Sequence, residues 1–180
     1  MNIVINPTKF NGRNIFFLDK KKNNIIDGCF SKIIYSSEYF TMNGVFFVIP
    51  FVSKSTPCNV PFTSGKIYGR EGLSHPEFLE NKYTVCFYTH DVKNLQYITL
   101  LSEIENTIIN TYKEMHGLKK CNNLVLTNQL YKGFFKIYKE KQSCKSTIEK
   151  TYMLKISGVW ENANEVGITY KFIEICENTL

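Results

Sequence analysis

Apolar residues along this chain recur mostly at every second position, and in one place only at three- and four-residue steps. The runs NIFFL (14–18), CFSKIIYSSEYFT (29–41), VFFVIPFV (45–52), KYTVCFYTH (82–90), GFFKIYKE (133–140), TYMLKISGVW (151–160) and VGITYKFIEI (166–175) are rich in β-branched and aromatic residues and read as strands. Ile3–Ile5 reads as a short edge strand and NLVLT (123–127) as another short strand. Met42-Asn43-Gly44 separates two of the runs and predicts a hairpin, since Asn-Gly suits a type I′ turn. Residues 161–164 predict a second hairpin between the last two runs.

Tyr97, Leu101, Ile104, Ile108, Tyr112 and Met115 form the one helical stripe and predict a helix over 95–116. Gly117 is placed to end it, with His116 beside it as a partner for the helix dipole. Ser102 and Glu105 have capping-box spacing but fall inside the stripe, and Glu103 and Glu105 read as a solvated face. Residues 53–81 are loop-rich, with the short strand KIYGR inside. Strands, one helix, then more strands predict a mainly β chain: one domain over 1–180, an OB-like antiparallel Greek-key barrel with one main α-helix. A β-sandwich with an accessory helix is the alternative.

Charge changes this picture. The net charge is +6, but residues 119–155 hold nine basic and two acidic residues, while residues 156–180 hold one and four. A clustered basic surface predicts a polyanionic partner; a solubilising lysine face is the other reading. Within the block, strand alternation puts Phe134, Lys136 and Tyr138 on one face and Phe135, Ile137 and Lys139 on the other. Rings that stack bases beside lysines that neutralise phosphates are the chemistry of single-strand binding. The same rings would instead pack in the core if Lys136 snorkelled outward. Lys155, Trp160, Tyr170 and Lys171 extend the mixed basic-aromatic character into the hairpin, where Trp160 either caps the core or stacks on a base. Lys32, Tyr35, Lys66 and Arg70 are secondary candidates on the N-terminal strands and the loop.

No catalytic motif competes. There is no P-loop and no G-x-G-x-x-G, SGKIYG (64–69) has the wrong spacing, and His75, His90 and His116 adjoin no nucleophile. The six cysteines form no C-x-x-C pair and no metal spacing with those histidines, so neither a metal nor a cofactor is expected. The cysteines read as small core thiols in a reducing, cytoplasmic compartment, with no signal peptide and no membrane span. One alanine, two arginines and twenty lysines point to an AT-rich coding genome, such as that of a virus, an extrachromosomal element or a parasite.

The layout, and above all LKISGVWENANEVGITYKFIEI (154–175), resembles the closing segment of replicative single-stranded DNA-binding proteins of the OB-fold type, from large DNA viruses including poxviruses and from cytoplasmic linear DNA elements. IIYSSEYFTMNGVFFVIPF (33–51) is similar to the first strands of such barrels. The resemblance implies a protein that coats unwound DNA during replication without sequence preference, with single-stranded DNA or RNA, replication proteins and further copies of the chain as partners. An acidic, partner-recruiting tail is frequent in such proteins; this chain closes on ICENTL. The rival expectation is a viral, host-modulating β-sandwich that binds protein.

Overall fold

The closing hairpin is the spine of the molecule. In a computed structural model, residues 3–23, 27–51, 82–138 and 151–175 are described, and the fold is that of those residues. In chain order they form β1 (Ile15–Phe17), β2 (Lys21–Lys22), β3 (Cys29–Ser36), β4 (Thr41–Asn43), β5 (Val45–Ile49), β6 (Lys82–Cys86), α1 (Val92–His116), β7 (Cys121–Asn123), α2 (Val125–Tyr131), β8 (Phe134–Tyr138), β9 (Thr151–Glu161) and β10 (Glu165–Ile175). Short 3₁₀ turns at Pro7–Lys9 and Gly12–Asn14 precede them.

β9 and β10 pair antiparallel from Glu161 opposite Val166 to Thr151 opposite Ile175, with a bulge that leaves Ser157 without an opposite residue. The outer edge of β10 takes β7 and β8, both parallel to it, and β6 closes that side by pairing antiparallel with β8. The outer edge of β9 is shared. Its far end, Gly158–Glu161, pairs with the start of β3, and its near end pairs with β5, Val45 opposite Ile156 and Ile49 opposite Tyr152. All ten strands join one mixed sheet that does not close on itself. The described residues are thus mainly β with two helices, and in place of the expected closed antiparallel barrel they form an open sheet.

The fork at β9 also replaces the expected N-terminal hairpin. β3 does turn back, but through residues 37–40 into β4, and β5 then leaves to pair with β9. Gly44 makes that reversal at φ +83°, with its N–H donating to the Ile33 carbonyl. A Cβ there would lie 2.6 Å from the Ile156 carbonyl oxygen. Ile5 contributes a single backbone bond to Phe46, and residues 3–5 form no strand.

α1 and α2 pack on one face of the sheet, against β8, β9 and β10. Ile98, Leu101, Ile108, Ile109 and Tyr112 of α1 meet Leu154, Ile156, Val166 and Phe172 in the core. Phe135 stacks on Phe172 at 4.5 Å. The helix starts three residues before the expected point, where Asp91 caps it by accepting from the Asn94 N–H (3.0 Å), and ends at Gly117 with φ +62°. Met115, expected on the buried stripe, is exposed. Burial first, and then nearby Lys20, holds the pKa of His116 below its usual value.

Two other expectations fail. NLVLT is not a strand; Leu126 and Leu130 are buried four residues apart on α2. Its short apolar run fits either element, and only packing decides between them. Nor are the thiols uniformly small core residues. Cys29 is half-buried and Cys121 exposed, both free, while Cys86 is disulfide-bonded. Spacing in sequence does not show which cysteines meet in space, and the inference of a reducing compartment loses its support here. Among the described residues no helix is long and apolar enough to cross a membrane.

Gly158 is the tightest point of the spine. The Phe30 ring lies over it from β3, and a Cβ would stand 2.5 Å from the Ser31 carbonyl oxygen. Gly158→Ala is therefore expected to lower stability by about 1–3 kcal/mol, the usual cost of overpacking. The urea unfolding midpoint measures it, and an unchanged midpoint would mean that β3 and β9 can part without loss.

Candidate nucleic-acid interface

Strand alternation and burial assign the candidate residues to two faces. On β9, Tyr152, Leu154, Ile156 and Val159 are buried toward the helices, which leaves Met153, Lys155, Gly158 and Trp160 on the opposite face. On β10, Val166, Ile168 and Phe172 are buried, and Thr169 and Lys171 are exposed on the opposite face. On β8, Phe135 and Ile137 are fully buried, while Phe134 is half-buried and Lys136 exposed. On β3, Ser31, Ile33 and Tyr35 point inward, and Phe30 and Lys32 outward.

Pairing then sets three lysines in one row. Lys171 is directly opposite Lys155. Phe172 is opposite Ile137 in the parallel pair, so Lys136 stands beside Lys171. Lys136, Lys171 and Lys155 thus cross three adjacent strands on the face away from the helices, with about 10 Å between the outer two backbones. Like charges directly opposite each other on a sheet repel. The Lys155 ammonium is partly compensated by the Phe46 ring, 4.9 Å from its centroid. Lys32 extends the basic character to β3, where it is opposite Gly158.

Rings flank the row. Trp160 is opposite Phe30, and each lies over a glycine of the neighbouring strand, Trp160 over Gly167 and Phe30 over Gly158. The Trp160 indole N–H donates to the Ile168 carbonyl (3.2 Å), which fixes the ring along the sheet. Trp160 is half-buried on the outer face, so it is not the core cap of the alternative reading. Phe134, likewise, is not the core ring of its strand; Phe135 is.

Two acids of the last segment have partners of their own. Glu161 points inward and is 7% exposed, bonded to Lys20 (2.8 Å) and Lys120 (3.3 Å). Burial would raise its pKa, but those two lysines outweigh burial and hold it below the usual value. Glu165, near the hairpin turn, accepts from the Asn123 amide (2.9 Å).

The structure brings together Phe134, Lys136, Lys155, Trp160, Lys171 and Lys32. It separates two candidates from them. Tyr35 is buried in the core, and Tyr170 faces the helices, where its hydroxyl donates to Gln129 (2.5 Å). Both corrections follow from the two-residue period: Tyr170 cannot share a face with Lys171, nor Tyr35 with Lys32. Tyr138 ends β8, and its side chain lies outside the described ones, as do Lys139, Lys66 and Arg70 entirely. Phe30 was missed, although it shares its strand face with Lys32; its place opposite Trp160 is a long-range pairing with no local signal. Among the described residues no three His, Cys, Asp or Glu side chains gather as metal ligands would. No protein-family model matches the chain, and searches of curated proteins and of solved structures give no match either.

Proposed function

We propose that the chain binds single-stranded nucleic acid, DNA before RNA, on the face of its sheet away from the helices, and coats the strand rather than acting on it. The observation that carries this is the lysine row Lys136–Lys171–Lys155, which stacks three positive charges across adjacent strands with rings on its flanks. The three ammonium groups of the row are placed to meet a phosphate backbone laid across it, and Phe134, Trp160 and Phe30 offer π-faces to the bases. Open sheets backed by helices bind single strands by stacking in this way, so closure into an OB-like barrel is not needed for the chemistry. Protection of unwound DNA during replication is the role that fits such sequence-tolerant binding.

Trp160 is the built-in reporter, the one tryptophan of the chain. Titration with oligothymidine is expected to quench its fluorescence. The binding constant should fall with salt at a log–log slope of about −2 to −3, given about 0.7 per phosphate neutralised on a single strand and three or four lysines engaged. Oligouridine in a parallel titration separates RNA from DNA preference. No binding at low salt overturns the reading and favours a protein partner.

A further inference from the structure

We infer that one unstacked base of the bound strand is seated in a cleft at the flank of the lysine row, between the exit of β6 and the entry to β8; this rests on the strand-binding reading above. The cleft has a volume of about 240 Å³ and is lined by Tyr88, His90, Lys132 and Phe134, with Phe87 and Gly133 behind them. Phe134 lies two residues before Lys136 on the same strand face, so the cleft opens about 7 Å along the strand from the row.

Its walls are held in place. The Phe87 N–H donates to the Gly133 carbonyl (2.9 Å), and the Gly133 N–H to Leu130 (2.9 Å). Gly133 sits at φ +75°, where an added Cβ would press on Phe87 and Thr89 at 3.1 Å. Across the cleft, the side-chain amide of Asn94, 1% exposed, donates to the Tyr88 carbonyl (2.8 Å). The turn that carries Tyr88 and His90 is therefore fastened to the first turn of α1. Tyr88 nonetheless keeps 53% of its surface exposed, and Lys132 is exposed beside it.

Two rings, a cation and an imidazole around a small rigid cleft suit a nucleobase. The rings take its π-faces, His90 offers a hydrogen-bonding edge, and Lys132 meets a flanking phosphate. The volume falls below the roughly 300–1,000 Å³ of pockets for drug-sized ligands, so a single base is the scale it admits.

Tyr88→Ala and Phe134→Ala, each checked by thermal melting, are titrated with labelled oligothymidine and with an abasic deoxyribose-phosphate oligomer of equal length. Each variant is expected to bind oligothymidine about tenfold more weakly, as for one lost stacking platform, and the abasic oligomer within about twofold of wild type. Tyr88→Phe should keep wild-type affinity, because stacking needs the ring and not the hydroxyl. Equal losses on both probes, or none on either while wild type binds oligothymidine, overturns the cleft and leaves the strand-binding reading standing. Wild type that binds neither probe overturns both. Should Phe134→Ala fail to fold, the exposed Tyr88 pair decides alone.

Discussion

Glu105→Ala is expected to cost about 3–5 kcal/mol of folding stability, a large share of the 5–15 kcal/mol typical of a domain. Glu105 is fully buried in the middle of α1. Its carboxylate accepts from the Leu126 N–H (3.0 Å), the Thr127 N–H (2.8 Å) and the Thr127 hydroxyl (2.6 Å). Those amides belong to the first turn of α2, whose own cap position, Leu124, provides no side-chain bond. α1 therefore caps α2 across the core. Alanine would leave three donors unsatisfied next to a new cavity, and each such donor costs about 1–3 kcal/mol when buried. Glutamine retains one acceptor but turns an N–H₂ group toward donors, so it should recover only part of the loss. Urea unfolding with an unchanged slope is the measurement, and a loss below 1 kcal/mol would refute the cross-core cap.

The same residue sets a pH dependence of definite sign. Burial raises the pKa of Glu105, against the bonds from Thr127 and Leu126 that lower it. With a folded-state pKa above the unfolded value, the stability this group contributes is complete below the unfolded pKa and declines as pH rises through the raised one. The gap between wild type and Glu105→Ala should accordingly widen as pH is lowered from neutral, and equal gaps at both ends of that window would contradict the assignment.

Glu105 also shows where sequence reading stops short. It lies four residues after Leu101 and four before Ile109, both fully buried, so it occupies the apolar stripe and not the solvated face assigned from its charge. Position in the periodic pattern was the better guide than residue type. The strands of the C-terminal half were legible for a related reason: β8, β10 and the first half of β9 alternate and the β9–β10 turn is local, whereas the bulge at Ser157 puts Val159 on the face of Ile156 and turns Trp160 outward, against the two-residue period. The fork was not. β5 pairs with Ile156–Tyr152, about a hundred residues away, and nothing in Met42-Asn43-Gly44 distinguishes a hairpin from a change of partner. The site follows the same division. Which residues share a face was readable from the two-residue period, whereas the row itself depends on the parallel register of β8 with β10, which no local pattern encodes.

That register makes the row the decisive test of function. Replacing Lys136 and Lys171 by glutamine is expected to weaken oligothymidine binding about a hundredfold at low salt and to reduce the log–log salt slope by about 1.4, the effect of two phosphates on a single strand. Replacing both by glutamate adds repulsion of similar size, so the loss should approach about a thousandfold. Lys155 is left in place because its contact with Phe46 joins packing to charge. Lys136 and Lys171 are exposed and glutamine keeps a stem and a hydrogen-bonding head at both, so urea unfolding should show a loss of no more than about 1 kcal/mol per site. The combination of a preserved fold, a lower slope and lost affinity separates phosphate contact from general damage. A control at Lys119, exposed just past Gly117 and so at the other end of α1 from the Tyr88–His90 turn, removes one charge and should leave the slope nearly unchanged. If the Lys136 and Lys171 variant binds with the wild-type slope, the strand does not cross this row, and the basic block serves solubility instead.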